Sequence, residues 1–327
     1  MPPETTAPPH CLVTGATGYI GSRLVPMLLD RGMRIRVLAR TPAKLEDAPW
    51  RSDVEVVQGD LTDPDSLERA CGGDSDAVDV VYHLVHAMGS ADDFAEAERR
   101  GAVNMADAAR RNGVGRIVYL GGLHPEEARL SRHLRSRTEV GRILCESGVP
   151  TMVLQAGVVV GAGSASFEMI RHLTNRLPVM TTPRWVHNRI QPIAISDVLH
   201  YLAGAATAPI ERSRTWDLGG PDVLEYGDMM QIYADVSGRR RRAIIVLPWL
   251  TPTIASWWVG LVTPIPAGLA QPLVESLHCD AVVSERDIDT VIPPPEGGPT
   301  WYRKAVALAL DQVGPAGLLP SDPDWAG

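Results

Sequence analysis

The residues best placed to hold a charged group lie near the start of the chain, where three glycines recur at intervals of three. Gly15, Gly18 and Gly21 follow the apolar pair at 12–13 and precede a helical pattern. Glycine allows a sharp turn after a strand and lets backbone N–H groups approach a phosphate closely. A helix that begins here directs its positive N-terminus at two phosphates. The spacing predicts a dinucleotide site formed by Gly15, Thr17, Gly18, Tyr19, Ile20 and Gly21.

The residues after the second predicted strand bear on which dinucleotide binds. A site for NAD usually has Asp or Glu about 20 residues beyond the loop, where it accepts hydrogen bonds from the ribose. Residues 31–45 contain no acid, whereas Arg40 and Lys44 follow the strand. A guanidinium can bind a 2′-phosphate through two hydrogen bonds. We therefore expect NADP(H) to be preferred over NAD(H), and we interpret Arg34 and Arg36 as solvated surface cations.

Composition narrows the classes of partner. The chain has 327 residues, 45% of them hydrophobic, and a net charge of −8. This charge argues against nucleic-acid binding, which needs a basic face. The four cysteines form no CxxC pair, and we predict mostly buried, reduced thiols in a cytoplasmic protein. No metal site is predicted, because His83 and His86 would point to opposite faces of a strand.

Apolar, β-branched runs alternate with helical patterns through the first half of the chain. This order predicts an α/β fold of the Rossmann type, a doubly wound parallel sheet with a smaller, mainly helical C-terminal region that caps the substrate. Ligands then bind beyond the carboxyl ends of the strands. The predicted strands are 11–14, 34–39, 54–58, 78–84, 116–120 and 151–155, and the predicted helices are 19–31, 64–71, 92–112 and 131–147.

The later segments are less regular. We expect a helix near 165–177, a short strand at Ile190, a helix at 196–208, a strand at 215–218 and a helix at 226–237. Ser164 and Ser166 are predicted to cap the first of these helices. The expected organisation is a disordered leader at 1–9 without a signal peptide, a nucleotide domain at 10–160 whose sheet is completed by segments near 190–220, a capping region at 161–313 and a tail at 314–327.

One segment of the capping region is unusually apolar. Residues 243–274 carry no charge and are rich in tryptophan, but prolines interrupt every stretch long enough to span a bilayer. No transmembrane helix is therefore predicted. Three interpretations stay open: a buried subdomain, the lining of an apolar substrate site, or a surface at 239–274 that contacts a membrane or a partner protein. Four arginines at 239–242 precede the segment and suit the last of these.

Several motifs together resemble the extended and atypical short-chain dehydrogenase/reductases, and above all the NmrA-like branch of bacterial NAD(P)-binding proteins. They are the glycine loop, Gly59-Asp60-Leu61, Tyr82-His83-Leu84, Asn104, Arg116 to Leu120, Gly157 to Gly161, Ile193 to Val198 and Asp217 to Pro221. The resemblance implies that Asp60 and Leu61 flank the adenine. It also implies that Leu84, Val85 and His86 line the adenosine, and that Gly157 and Val158 lie near the nicotinamide.

The chain departs from the typical branch at the catalytic positions. That branch uses a Tyr-x-x-x-Lys pair and a Ser or Thr hydroxyl, in which the lysine lowers the pKa of the tyrosine. Here His133 and Arg137 stand at the Tyr and Lys positions, and Gly122 and Leu123 replace the hydroxyl. We expect Arg137 to hold the nicotinamide ribose and His133 or water to supply a proton. His124 is a second candidate acid.

These observations favour an NADP(H)-binding reductase of a carbonyl, enone or quinone on an apolar small molecule. Two alternatives stay open: a non-catalytic NADP(H) sensor that binds a partner protein, and a peripheral membrane accessory in which the nucleotide is structural. The missing Tyr, Lys and Ser favour the sensor, whereas the apolar third of the chain favours the enzyme. The sequence leaves the substrate, the reaction direction and the oligomeric state open.

Overall fold

A computed structural model describes most of the chain. The described residues are 8–72, 76–86, 94–125, 130–247, 262–266, 273–313, 319 and 322. Most of the apolar segment 243–274 and most of the leader and tail lie outside them. The three interpretations of that segment, including contact with a membrane, therefore stay predictions. Within the described residues no helix is both long and apolar enough to cross a membrane.

Seven parallel strands form the main sheet of the described structure, in the order β11-β6-β5-β4-β1-β2-β3. The chain places β2 and β3 on one side of β1 and the later strands β4, β5, β6 and β11 on the other. The carboxyl ends of β1 and β4 therefore lie at the switch point where ligands bind in doubly wound folds. The sheet strands are β1 His10–Thr14, β2 Arg34–Ala39, β3 Glu55–Gln58, β4 Val80–His83, β5 Arg116–Gly122, β6 Thr151–Ala156 and β11 Arg214–Leu218.

Helices cover both faces of this sheet. The helices whose bounds are described are α1 Tyr19–Asp30, α2 Pro64–Cys71, α3 Phe94–Arg111, α4 Arg132–Cys145, α5 Ala165–Arg176, α6 Ile195–Ala205, α7 Tyr226–Val236, α8 Ile288–Val291 and α9 Tyr302–Asp311. Of these, α5, α7 and α9 belong to the capping region and not to the faces of the main sheet. Helices α1 and α6 pack together on one face, and α2, α3 and α4 pack on the other. The predicted doubly wound α/β fold is confirmed, and the predicted ends of the first six strands and first four helices agree with the observed ones to within two residues.

Side chains alternate between the two faces along each central strand, as strand geometry requires. In β5, Val118 and Leu120 enter the core beneath α1 and α6, whereas Ile117 and Tyr119 enter the core beneath α3 and α4. Both sets are almost completely buried. The near-continuous apolar sequence of these strands is therefore explained by a sheet that is covered on both sides.

The capping region has a separate core, formed around α5, α7 and α9. Short strands pair there, namely β7 Val159–Val160 with β10 Ile193–Ala194, β12 Leu224–Glu225 with β9 Arg189–Ile190, and β13 Ala243–Val246 with β8 Val179–Thr182. Described residues of the apolar segment join this core, since Ile265 and Val274 are buried in it.

Buried acids attach the C-terminal part of the chain to the nucleotide domain. Asp197 accepts hydrogen bonds from the backbone N–H of Thr300 at 2.6 Å and from its hydroxyl at 3.0 Å. Asp217 accepts two from Ser284. These two aspartates belong to motifs on which the family resemblance rests. In this structure they connect the C-terminal segments that contain Thr300 and Ser284 to the main sheet and its helices.

The structure corrects the interpretation of Arg36 as a solvated cation. Only 4% of this residue is exposed. Its guanidinium donates to Glu55 at 2.7 Å, to Asp76 at 3.2 Å and to the carbonyl of Ala70 at 3.0 Å. Atoms of His10, Glu55 and Asp76 lie close enough together to hold a cation, but both carboxylates already pair with Arg36. The residue therefore neutralises a partly buried acidic cluster.

Two smaller predictions also change. Ser164 stands at the N-cap of α5, but its hydroxyl donates to the carbonyl of Val159 at 2.7 Å and makes no cap hydrogen bond. Cys11 and Cys71 are buried, whereas Cys145 and Cys279 are half-buried. Burial raises the pKa of the Cys11 and Cys71 thiols to about 12.

Candidate cofactor and substrate site

The glycine loop runs between the end of β1 and the start of α1, against the end of β4. Gly15 has a φ of +77°, which favours glycine, and a side chain there would place its Cβ 2.9 Å from the carbonyl carbon of Leu84. The Thr14 hydroxyl ties the same two strands together, because it donates to the carbonyl of Tyr82 and accepts from the N–H of Leu84. The loop therefore lies directly on the backbone that follows β4.

Gly21 allows α1 to start close to the loop. A Cβ at this position would lie 2.3 Å from the carbonyl oxygen of Gly15 and 2.8 Å from the Cα of Ala16. Gly18 is the N-cap residue and provides no side-chain cap, and the first turn contains no acid. The first N–H groups of an α-helix have no partner within the helix. Those of α1 are thus available to an anion, with Thr17 and Gly18 exposed and Tyr19 and Ile20 half-buried.

The predicted adenosine residues surround the ends of β2, β3 and β4. Arg40 is exposed immediately after β2, and Lys44 is exposed in the turn Pro42–Leu45. Desolvation opposes ionisation of Asp60, but two hydrogen bonds from Thr62 and the nearby Arg40 outweigh it and lower the pKa of the carboxyl. Asp60 is therefore an ionised acceptor near the exposed guanidinium of Arg40.

Leu61, Leu84, Val85 and His86 complete this side of the site. The Asn104 amide donates to the carbonyl of Leu61 at 3.0 Å and so fixes the loop after β3. Leu84 is buried, and Val85 and His86 are half-buried. Burial, with help from the charge of Arg137, holds the pKa of His86 well below its usual range. His86 is therefore neutral at physiological pH.

An unpredicted contact closes the far side of the glycine loop. The Tyr19 ring lies under Gly161, where a Cβ would come within 2.3 Å of the tyrosine oxygen. Arg23 stacks on the same ring at 4.1 Å and forms two hydrogen bonds with Asp322, of 2.7 and 2.6 Å. The nucleotide helix thus contacts both the capping region and residue 322. The glycine at 161 is a hint of this packing in the sequence, because a larger residue would collide with Tyr19, whereas Asp322 gives no hint.

A cavity lies between the sheet and the capping region, and its volume is about 890 Å³ when the solvent space at its opening is included. One wall is the carboxyl edge of the sheet, with Gly122, Leu123, Ala156, Gly157 and Val158. The opposite wall belongs to the cap and includes Met169, Ile170, Trp185, Tyr226 and Met230. Its apolar lining is typical of a small-molecule site. Among the described residues, Arg137 is the one charged side chain on its walls.

The structure separates the candidate catalytic residues. Arg137 lines the cavity, whereas His133 stacks on the Phe94 ring with 4.4 Å between ring centres and is absent from the described walls. Desolvation and the Arg137 charge lower the pKa of His133. His124 also lies away from the walls, and its Nε2 is 2.9 Å from the Thr138 hydroxyl. Of the two residues in the predicted catalytic pair, only Arg137 faces the cavity.

Steric packing accounts for the glycine at the expected hydroxyl position. A Cβ on Gly122 would lie 2.7 Å from Leu134 Cδ2 and 3.7 Å from Arg137 Nη1. The Tyr119 hydroxyl donates to the carbonyl of Arg137 at 3.2 Å, which fixes α4 against the sheet. A serine at 122 would therefore require the Leu134 side chain to shift.

Residues 15–150 match the protein family described as NAD(P)H-binding. The match begins at Gly15 and ends just before β6. This part of the chain is therefore similar to NAD(P)H-binding domains, which agrees with the loop geometry described above and with the resemblance seen in the sequence.

Similar proteins include reductases. A ceramide reductase of Caulobacter vibrioides is 28% identical over 308 residues, which is 90% of this chain and 94% of that protein. A 3β-hydroxysteroid dehydrogenase/Δ5→4-isomerase of Mycobacterium tuberculosis is 37% identical over 125 residues, but the match spans 35% of this chain and 32% of that protein.

The fold also matches solved structures along nearly the whole chain. A triphenylmethane reductase of a Citrobacter species, crystallised with NADP(H), superposes with a TM-score of 0.70 at 20% identity. The superposition covers 91% of this chain and 99% of that protein. At this identity the likeness establishes the fold alone.

Proposed function

We propose that the protein is an NADP(H)-dependent reductase that acts on a carbonyl, enone or quinone of an apolar small molecule. The observation that carries the proposal is the apolar cavity at the carboxyl edge of β5 and β6. Gly157 and Val158, which the resemblance assigns to the nicotinamide, lie on its wall. A substrate in the cavity would therefore meet the reactive end of the cofactor.

The preference for NADP(H) rests on Arg40 and on the absence of an acid after β2. Arg40 is exposed and close enough to Asp60 to lower the pKa of that carboxyl. Its charge is thus free to bind a 2′-phosphate, whereas Asp60 suits the neutral adenine. Similarity to a reductase crystallised with NADP(H) supports this assignment.

The bound cofactor would supply a hydride to the carbonyl carbon, or to the β-carbon of an enone, and the resulting oxyanion would take a proton. Arg137 is permanently charged and cannot supply that proton. It would instead orient the ribose and stabilise negative charge on oxygen in a cavity of low polarity. Because His133 is largely neutral and lies off the described walls, we assign the proton to water and not to His133.

A non-catalytic NADP(H) sensor is the second candidate. Gly122 and Leu123, at the positions where related enzymes carry a hydroxyl, favour it. The full-length similarity to a ceramide reductase favours reduction instead.

Calorimetry with NADPH and NADH tests the cofactor assignment. We expect NADPH to bind more tightly than NADH, and Arg40→Ala to weaken NADPH about tenfold or more while leaving NADH unchanged, since hydrogen bonds to charged groups contribute about 1.5–3 kcal/mol. Arg34→Ala, at the opposite end of β2, is the matched control and should change neither affinity. Equal affinity of the unmodified protein for both nucleotides would refute the preference.

NADPH oxidation tests the reaction. The substrate panel consists of long-chain ketones, enones and quinones, and Arg137→Ala should reduce kcat/KM at least about 100-fold through lost charge stabilisation. His133→Ala should retain most of the activity, because water supplies the proton. Tight NADPH binding without turnover of any panel member would favour the sensor.

A further inference from the structure

A small two-stranded sheet of the capping region presents an apolar face to solvent. Strands β8 and β13 pair in parallel, with Val179 opposite Ala243 and Thr181 opposite Ile245. Paired residues of neighbouring strands share a face of the sheet, and successive residues of a strand point to opposite faces. These four residues therefore form one face, which we call the outer face.

The inner face of this small sheet is covered by protein, whereas the outer face is not. Met180 is 1% exposed, and Ile244 and Val246 pack on the core of the capping region. On the outer face, Val179 is 50% exposed and Ile245 is 48% exposed. Six large apolar side chains are exposed in the described part of the chain, and two of them lie on this face.

Three exposed arginines, at 239–241, stand next to the outer face and are separated from β13 by Arg242 alone. The backbone of Arg242 is fixed to α7, because its N–H donates to the Gln231 side chain at 3.0 Å and its carbonyl accepts from that side chain at 2.7 Å. The acid nearest in sequence, Asp235, pairs instead with Arg303 at 2.6 Å. No carboxylate of the described residues pairs with the three arginines.

Acids are missing from both segments that build this surface. The chain contains 39 acids and has a net charge of −8, but residues 169–196 and 236–274 contain no Asp or Glu. The surface therefore combines exposed apolar side chains with uncompensated positive charge in a chain that is acidic as a whole.

A lipid bilayer with anionic headgroups fits this combination. Its phosphates attract arginines, and apolar side chains enter the boundary between headgroups and acyl chains. A stable protein partner needs about 800 Å² of complementary surface on each side, which two half-exposed side chains and three long cations do not offer. Nucleic acid is held by basic groups and leaves the apolar side chains unexplained.

We propose that the outer face and the arginines at 239–241 dock the protein on an anionic phospholipid bilayer. Val179 and Ile245 enter the bilayer boundary, and the arginines bind lipid phosphates. Strand β8 ends at Thr182, and Trp185, three residues later, lines the cavity. Docking therefore brings a wall of the cavity close to apolar compounds dissolved in the bilayer. The docking itself does not depend on the proposed reductase activity.

Sedimentation of the full chain with sucrose-loaded vesicles tests the role of charge. Vesicles of equal parts phosphatidylcholine and phosphatidylglycerol should bind the protein, and vesicles of phosphatidylcholine alone should not. An arginine near an anionic surface contributes about fivefold to the partition. Changing all three arginines at 239–241 to Gln should therefore lower the partition about 100-fold. Raising the salt concentration from about 0.1 M to 1 M should release the unmodified protein.

A matched variant controls for the loss of net charge. Arg31, Arg69 and Arg212 are also exposed, and they lie outside this surface. Changing these three residues to Gln removes the same charge and should leave the partition unchanged. Urea unfolding of each variant shows whether it folds.

The apolar contribution is tested separately. Val179→Thr combined with Ile245→Thr keeps the β-branched shape and should lower the partition about tenfold. Val103→Thr, at an exposed apolar residue of α3, should change nothing.

A fluorescent dye locates the contact and does not require those variants to fold. The dye is attached to Ile245→Cys in a protein whose half-buried Cys145 and Cys279 are replaced by Ser. Its emission should move to shorter wavelengths on anionic vesicles. The same dye on Val103→Cys should not respond.

Several results would overturn the docking proposal. They are absence of binding to anionic vesicles, equal binding to neutral vesicles, and an unchanged partition after removal of the three arginines. Release by inorganic phosphate at constant ionic strength would assign the arginines to a free anion. Binding of poly-glutamate or single-stranded DNA, without a dye shift on vesicles, would assign them to a soluble polyanion. A protein that binds vesicles but reduces no compound would refute the reductase and leave the docking standing.

Discussion

Replacing Gly21 by alanine should weaken NADPH binding by more than it lowers the stability of the protein. Alanine is a better helix former than glycine, by about 0.5–1 kcal/mol in a helix interior. At Gly21, however, the new Cβ would lie 2.3 Å from the oxygen of Gly15 and 2.8 Å from the Cα of Ala16. Both neighbours are backbone atoms, so rotation of a side chain cannot relieve the contact. The glycine loop must move instead.

The size of the effect follows from these distances. Non-bonded atoms of this kind settle at about 3.5 Å, so the loop has to retreat by about 1 Å. A displacement of that size can cost about 100-fold in a positioned interaction, which corresponds to about 2.7 kcal/mol. Overpacking typically costs about 1–3 kcal/mol. We therefore expect Gly21→Ala to weaken NADPH at least about 100-fold and to destabilise the apoprotein by about 0.5–2 kcal/mol.

Calorimetric titration with NADPH and urea unfolding without nucleotide measure the two effects. Gly227→Ala is the matched control, because Gly227 also lies in the first turn of a helix, α7. Its Cβ would meet Ile244 Cδ1 at 3.6 Å, an ordinary contact. That variant should keep its NADPH affinity and unfold at the same or a slightly higher urea concentration. An NADPH Kd within threefold of the unmodified value for Gly21→Ala would refute the assignment of this loop to the cofactor.

Three further predictions concern buried groups. Burial lowers the pKa of His83 to about 4, so the unfolded chain, with a histidine pKa near 6.5, binds the proton first and stability falls as the pH drops between these values. Between pH 7 and pH 5, the free energy of unfolding measured in urea should fall by about 2 kcal/mol less in His83→Gln than in the unmodified protein. The same pH dependence in both proteins would contradict this. Asp322→Asn should lower stability by about 2–4 kcal/mol, because it leaves the partly buried Arg23 without its carboxylate, and an unchanged Tm would show that the pair contributes nothing. Cys11 and Cys71, whose pKa values are raised to about 12, should resist iodoacetamide at pH 8 in the native protein and react in urea, as mass spectrometry of the labelled peptides can determine.

Local sequence patterns were sufficient for the central sheet and the nucleotide loop. The glycines of that loop act within a few residues of one another, and the strand residues Ile117 to Leu120 are apolar because both faces of the sheet are covered. The sequence of each of these segments is therefore sufficient to predict whether its residues are buried and where the chain turns. The same holds for Arg40, whose position directly after β2 follows from the length of the strand.

The predictions that failed or were missing depend on distant partners. Arg36 was expected to be solvated because its strand neighbours do not reveal Glu55 or Asp76, which lie 19 and 40 positions away. Trp185 lines a cavity whose walls come from several separate elements, so no single segment indicates its place there. Gly122 indicated a missing hydroxyl, whereas its contact with Leu134 became visible only in three dimensions.

The pair between Arg23 and Asp322 has a consequence for synthesis of the chain. The two residues are 299 positions apart, and translation at about 5–20 residues per second separates their appearance by about 15–60 s. The glycine loop and α1 therefore leave the ribosome long before the carboxylate that fastens them exists. During that interval α1 lacks this ion pair, which can form only after residue 322 has been synthesised.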